Sequence, residues 1–409
     1  MMKHAVYGLL VLLGLISTST AGQTIRGAVL DQSSQQPIPF ATLYWPATGQ
    51  GTLSNENGDF ELPAGPIPAQ LIVSHVSFQT DTITVAAPAD HQRIQLKPAV
   101  HQLAAVTVSN AGYVLIRQAV AKIQASQQLA YGKAFYRQLT RNGEQPTEIQ
   151  EVIYNVKLSP VKVEGVQIAN ARYARLPSDA QKMYYHFSNF SYLILGQKAV
   201  SEGAPSAGRV LLPMRADVVD LYDVRVADVL IQPNGESIAE LDCQVREGYA
   251  NPAFSGKVFI NMTTHDLVKL EGTIPNSLGA AMNTDKVQTR NFVYTLAVDY
   301  VKREGGNFMN AIRVGVTFEQ LVKATGQTRT NRIQGFLLMN DLSNTATVAR
   351  SAFKRVDIHV EDLKAIQRVT YNPAFWRANA AVRRTPLEEN IINAFEQQGV
   401  MGTMTFDDL

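Results

Sequence analysis

The sequence predicts a mainly β protein: a small N-terminal β-sandwich joined by a helix to a large curved antiparallel sheet packed with a C-terminal helix. Three observations carry that expectation. Apolar residues alternate with period two along most of the chain, the signature of half-buried strands. The period turns helical only after Tyr113 and again after Thr385. Before Val100, short apolar runs are separated by Gly, Pro, Asn and Asp at the close spacing of a sandwich. With 409 residues and 45% hydrophobic composition, the chain is long and apolar enough to bury a substantial core.

Residues 1–21 read as a secretory signal peptide: Lys3 and His4, an apolar run from Ala5 to Ile16, then small residues with Ser19 and Ala21 placed for cleavage after Ala21. The run falls short of the roughly 20 residues that cross a bilayer, and no other run reaches that length. Export without a helical membrane span follows as the expectation, to the periplasm or the outer membrane. Cys243 is the only cysteine, so no internal disulfide forms and no thiol stands at the cleavage site to carry a lipid. Its apolar surroundings mark it as a packed residue. Lys and Arg number 37 against 35 Asp and Glu, too even a balance for a nucleic-acid partner.

Residues 22–99 divide into strands at Ile25–Val29, Phe40–Trp45, Leu71–Val76, Asp81–Val85 and Arg93–Leu96, with a turn at Asp31–Pro39 and a break at Pro63–Pro68. Between them, Asn57-Gly58 suits a two-residue hairpin turn with both central residues at positive φ, flanked by apolar Leu53, Phe60 and Leu62. The ordered blocks Gly27-Ala28-Val29-Leu30-Asp31, Pro37-Ile38-Pro39-Phe40-Ala41, Gly51-Thr52, Ser54-Asn55-Glu56-Asn57-Gly58-Asp59-Phe60 and Leu71-Ile72-Val73-Ser74-His75 resemble the carboxypeptidase-regulatory-like domain. That resemblance implies a transthyretin-like sandwich of seven strands. It also implies an accessory or binding role, because the module itself supplies no catalytic group.

Residues 100–130 are expected to hold a linker and an amphipathic helix. Val100–Asn110 alternates and either finishes the sandwich or runs as an extended linker; from Tyr113, Ile116, Ala119, Val120 and Ile123 share one helical face. Residues 131–409 form the β-rich domain. Strands are expected at Thr147–Leu158, Val163–Arg172, Val224–Ile231 and Ile238–Arg246, and the pair Phe254–Met262 and Leu267–Glu271 flanks a hairpin loop at Thr263–Asp266. Asn291–Val301, Asn310–Phe318 and Arg332–Asn340 each place apolar residues on one face, which predicts a sheet with one apolar side. Ser201–Pro213 and Pro275–Thr289 read as loops. Thr385-Pro386-Leu387-Glu388 is a capping box with proline at the first helical position; Leu387, Ile391, Ile392 and Phe395 make a stripe expected to pack on the apolar face, and Gly399 ends the helix. Asn372–Trp376 reads as a shorter capped turn anchored by two aromatics. The blocks Ala134–Arg137, Phe254–Ile260 and Tyr371–Trp376 resemble exported Bacteroidetes-type envelope proteins of uncharacterised role that carry the same N-terminal module.

Chemistry is sparse in the sequence. Of the seven histidines none pairs with another at metal-ligand spacing, and His359-Val360-Glu361 lacks a third ligand. Neither a nucleophile elbow nor a phosphate-binding glycine loop is present. Asp217 and Asp220 read as surface carboxylates. No cofactor, metal or catalytic residue is expected. The candidate binding residues are Phe292, Tyr294 and Tyr300, an aromatic stripe suited to a hydrophobic groove on a curved sheet.

The expected function is therefore a non-catalytic binding or adaptor protein of the cell envelope, its ligand a lipid, a lipidated partner or a peptide. By analogy of fold, the sheet with its helix is similar to the carriers that sort lipoproteins to the outer membrane. Two alternatives stand beside it: an outer-membrane β-barrel component, and a secreted hydrolase with an accessory sandwich.

Overall fold

A computed structural model describes residues 24–65, 67–88, 91–102, 110–160, 162–176, 212–249, 251–275, 283–303, 306–342, 348–354, 362–378 and 382–402. The signal region, Ser201–Val210, His359 and Glu361 lie outside the described residues.

Seven strands form the N-terminal sandwich: β1 (Thr24–Asp31), β2 (Thr42–Tyr44), β3 (Gly51–Leu53), β4 (Asp59–Pro63), β5 (Ala69–Ser74), β6 (Asp81–Val85) and β7 (Gln92–Leu96). One sheet has the order β4-β1-β7 and the other β3-β2-β5-β6. Their inner faces enclose Ile25, Val29, Trp45, Phe60, Leu71 and Val73. The indole N–H of Trp45 donates to the Pro63 carbonyl at 3.0 Å, which satisfies its polar edge inside the core.

The Asn57-Gly58 turn departs from the hairpin expected of it. Strands β3 and β4 belong to different sheets, so the turn is an arch from one layer to the other. Gly58 alone takes positive φ, at 77°, while Asn57 does not. The side chain explains the difference: Asn55 Oδ1 accepts from the backbone N–H of Asn57 at 2.9 Å and of Asp59 at 3.0 Å, closing an Asx-type turn.

The second sheet has eleven strands, every neighbouring pair antiparallel. Its strands are β8 (Val100–Gln102), β9 (Ala130–Asn142), β10 (Gln145–Ser159), β11 (Lys162–Arg175), β12 (Tyr222–Ile231), β13 (Ser237–Val245), β14 (Ser255–Asn261), β15 (Leu267–Pro275), β16 (Val287–Arg303), β17 (Gly306–Val322) and β18 (Thr328–Asp341). The order is β11-β10-β9-β18-β17-β16-β15-β14-β13-β12-β8. Residues 100–102 therefore neither finish the sandwich nor run free: Val100 pairs with Ile231 at the sheet's far edge.

Helix α1 (Ala111–Ala125) lays Leu115, Ile116, Ala119 and Val120 against one face of this sheet. That face carries the alternating residues read from the sequence, including Leu296, Val298, Ile312, Val314 and Leu337. Cys243 is buried in the same core.

Part of the opposite face, over β9, β10, β11 and β18, is apolar as well, which corrects the expectation of one apolar side. Helices α2 (Val218–Leu221), α3 (Asp362–Gln367), α4 (Pro373–Ala378) and α5 (Pro386–Gln397) follow in the chain. Ile391, Ile392 and Phe395 of α5 pack on Leu139, Ile149 and Ala174. Trp376 of α4 packs with Phe135 and Leu338, and Leu53 of the sandwich joins the same cluster. The terminal helix thus lies across the sheet from the face it was expected to cover. The reason is in β9 and β10, where Phe135-Tyr136 and Ile153-Tyr154 put large side chains on both faces in succession, the pattern of a strand buried on two sides.

Candidate functional site

On the outer face of the large sheet, a cavity of about 800 Å³ opens where three parts of the chain meet. That volume is in the range of small-molecule sites, and such sites favour junctions between domains.

The floor is the sheet. Thr295, Ala297 and Gly315 contribute little bulk, so the strands lie open beneath the cavity. Alternation along the same strands sends Leu296 and Val314 to the opposite core, leaving this face to Lys257, Lys269, Glu271, Arg313 and Phe336. The sandwich supplies one wall through Phe40, Ser54, Asn55, Glu56 and His75. The C-terminal segment supplies the other, with Val382, Arg383, Thr385, Leu387 and Glu388.

Each wall is held in place by identifiable bonds. Asn55, which closes the arch, also donates from Nδ2 to the Arg383 carbonyl at 3.4 Å and ties the two walls together. Ser54 Oγ accepts from the Ala41 N–H at 2.8 Å and donates to the Ile38 carbonyl at 2.7 Å, fixing the loop that presents Phe40. Phe40 has φ 60°, a conformation unusual for an aromatic residue. Its ring receives the Arg313 guanidinium at 4.0 Å. The capping box holds α5: Glu388 N–H donates to Thr385 Oγ1 at 3.3 Å, and Thr385 N–H donates to Glu388 Oε2 at 2.7 Å.

Beneath α5 lies a buried charge network. Glu151 sits between Arg137, at 2.7 Å, and Arg172, with Arg384 at 4.0 Å. Arg137 reaches on to Glu388 at 3.1 Å, and Arg172 to Glu396 at 3.4 Å. Burial alone would push the Glu151 carboxyl up; the three guanidiniums outweigh it and hold it at about 2. These bonds clamp the C-terminal wall to the sheet.

The cavity's own charges are unequal. Five cations line it, Arg137, Lys257, Lys269, Arg313 and Arg383, against three carboxylates, Glu56, Glu271 and Glu388. Glu388 is engaged by Arg137 and Glu271 by Lys269 at 2.6 Å. Lys257 pairs with Glu240 at 2.7 Å and Arg313 with Asp299 at 2.9 Å. His75 adds no charge at neutral pH: burial, then the nearby Lys269, pushes it down to about 4.

The residues singled out in the sequence lie elsewhere. Phe292 and Tyr294 face the α1 side of the sheet, only 2% and 5% exposed, and Phe292 stacks on Phe318 at 5.8 Å. Tyr300 is half-buried and lines a second cavity of about 520 Å³ near the end of α1, beside Lys122, His265 and Asp266. There Lys122 is bound to Asp266 at 2.6 Å and to the Thr264 carbonyl at 2.6 Å. Asp217 is occupied by Arg215 at 2.7 Å. Among the described residues, no group of three or more His, Cys, Asp or Glu is placed to hold a metal ion.

The outer cavity leaves little trace in the sequence, for two reasons. Lys257, Lys269 and Arg313 look like the solvated side of strands, and nothing in the sequence says that the C-terminal segment crosses to them. The local signal for it is the pair of blocks Pro39-Phe40 and Ser54-Asn55-Glu56 of the first module, which line the cavity.

Comparison with known proteins bears on that module. The family model of the CarboxypepD_reg-like domain matches residues 25–108. The N-terminal sandwich is a CarboxypepD_reg-like domain. Its loops carrying Phe40 and Asn55 are among the parts of it that meet the large sheet. No curated protein matches the chain. Among solved structures, a LolA superfamily protein from Nitrosomonas europaea is similar at 10% identity and a TM-score of 0.18, covering 59% of this chain and 96% of that one. A DUF1329 family protein from Desulfovibrio piger is similar at 12% identity and a TM-score of 0.22, covering 61% and 98%. No helix among the described residues is long and apolar enough to cross a membrane.

Proposed function

We propose that this chain is an exported, non-catalytic binding protein of the cell envelope whose site is the cavity between the CarboxypepD_reg-like domain, the large sheet and α5. The observation that carries the reading is the cavity's construction. Apolar Phe40, Phe336 and Leu387 share it with a few fixed polar groups, the composition of sites that seat a ligand and orient it. Leu387 belongs to the apolar stripe of α5 yet remains 52% exposed, so its side chain has surface to offer a ligand. A lipid, a lipidated partner or a peptide end fits this description.

The outer-membrane barrel is less well supported. Among the described residues the sheet ends at β11 and β8, which do not pair. Its outer face carries the sandwich and the Glu151 network where a barrel would present a continuous apolar band to lipid.

The test is uptake of a fluorescent fatty-acid probe by delipidated protein. Saturable uptake is expected, and Ala297→Trp, which fills the floor without touching the core on the other face, should abolish it. Uptake unaffected by that substitution places the site elsewhere.

A further inference from the structure

The outer cavity has a charge arrangement that its size and apolar walls do not require. Four of its five cations have a carboxylate partner: Arg137 with Glu151 and Glu388, Lys257 with Glu240, Lys269 with Glu271, and Arg313 with Asp299. Arg383 has no ion pair among the described residues. It is half-buried, and its backbone carbonyl accepts from Asn55, which places the residue at the junction of the two walls. An arginine rooted there, partly withdrawn from water and without a counter-charge among the described residues, is a ready partner for a carboxylate or phosphate. The apolar surfaces of Phe40, Phe336 and Leu387 bound the same space.

We propose that the cavity binds an anionic amphiphile, its carboxylate or phosphate held by Arg383 and its apolar body laid against Phe40, Phe336 and Leu387. This rests on the reading of the cavity as the binding site and adds to it the chemistry of the ligand. A neutral amphiphile buries the same apolar area but leaves Arg383 without its partner, so the charged group supplies the discrimination. A good charge-assisted hydrogen-bonded pair in a partly buried site contributes on the order of tenfold or more in affinity.

The experiment compares 11-(dansylamino)undecanoic acid with its methyl ester on the delipidated full chain, following dansyl fluorescence. The acid is expected to bind saturably and at least tenfold more tightly than the ester. Arg383→Gln should weaken the acid by about tenfold and leave the ester unchanged, whereas Leu387→Asp should weaken both. Arg93→Gln, on a sandwich strand away from the cavity, should change neither, and circular dichroism confirms that each variant is folded. Displacement of the bound acid by lauric acid at lower concentration than by lysophosphatidic acid assigns a carboxylate ligand, and the reverse order a phosphate one. Equal affinity for acid and ester, or an acid affinity indifferent to Arg383→Gln, overturns anion recognition while leaving the cavity as a binding site. Failure of both probes to bind overturns the cavity reading itself and this inference with it.

Discussion

Glu151 is 1% exposed at its side chain and faces the guanidiniums of Arg137, Arg172 and Arg384. Its carboxyl, ordinarily near 4.5, is held at about 2 in the folded chain. A depressed carboxylate stabilises the fold fully above its unfolded value and loses that contribution as pH falls. The window here runs from about pH 4.5 down to 2, and the linked stabilisation is on the order of 3 kcal/mol. Glu151→Gln should cost about 3–5 kcal/mol at neutral pH, because it leaves buried guanidiniums short of a counter-charge. Urea unfolding measures this, and an unchanged midpoint would show that Glu388 and Glu396 neutralise the cluster alone. His75 gives a second, higher window. Its folded value near 4 lies below the ordinary 6.5, so the unfolded chain binds the extra proton and stability falls between pH 6.5 and 4. His75→Gln should flatten that part of the profile. Both residues were visible as members of strands or motif blocks. What the sequence did not carry is the covering of the strand's second face, without which Glu151 reads as a solvated carboxylate.

Elements with a local chemical cause were the most legible. The α5 capping box is present as Thr385 and Glu388 foretell, and Gly399 takes φ 66° just beyond the helix. Thr385→Ala should destabilise by about 1 kcal/mol and, because the same helix carries Leu387, weaken probe binding in parallel. The arch at Gly58 differs from the expected hairpin because the dipeptide signal is the same for a turn within one sheet and a turn between two. The deciding contacts are long-range: the Val29 N–H donates to the Gly58 carbonyl at 2.9 Å, and a Cβ at Gly58 would lie 2.8 Å from the Val29 carbonyl oxygen. Gly58→Ala should therefore destabilise by more than about 1 kcal/mol, combining left-handed backbone strain with that contact. Thermal unfolding checks this; a neutral result would mean the arch relaxes freely. The placement of α4 and α5 had no local signal, since an apolar stripe says that a helix must pack and not on which side of a sheet.

At the scale of the molecule, the CarboxypepD_reg-like domain is docked through β2 and the turn that follows it. Tyr44 lies under the Arg303 guanidinium at 3.6 Å, Thr42 Oγ1 accepts from Asn310 Nδ2 at 3.2 Å, and the Gly49 carbonyl accepts from the Leu342 N–H at 3.4 Å. Arg303→Ala should cost about 1–2 kcal/mol of docking and speed hydrogen exchange at the Leu342 amide, with α1 amides unaffected. The strand order has a further consequence. Strands β9 to β11 form one run of neighbours and β12 to β18 another, and among the described residues the two runs are joined in the sheet where β9 pairs with β18, through contacts such as Asn142 with Asn331. Near-neighbour hairpins cost little loop entropy, whereas this seam must bring together residues far apart in sequence and is expected to close late. Arg137 and Leu139 stand on one side of it and Gln334 and Phe336 on the other, all lining the cavity. During refolding, then, competence to capture a ligand should return with the slowest phase rather than with the bulk of the secondary structure. A ligand present at that moment would act as a clasp on the newly joined halves, so that occupancy of the cavity and completion of the fold would be coupled.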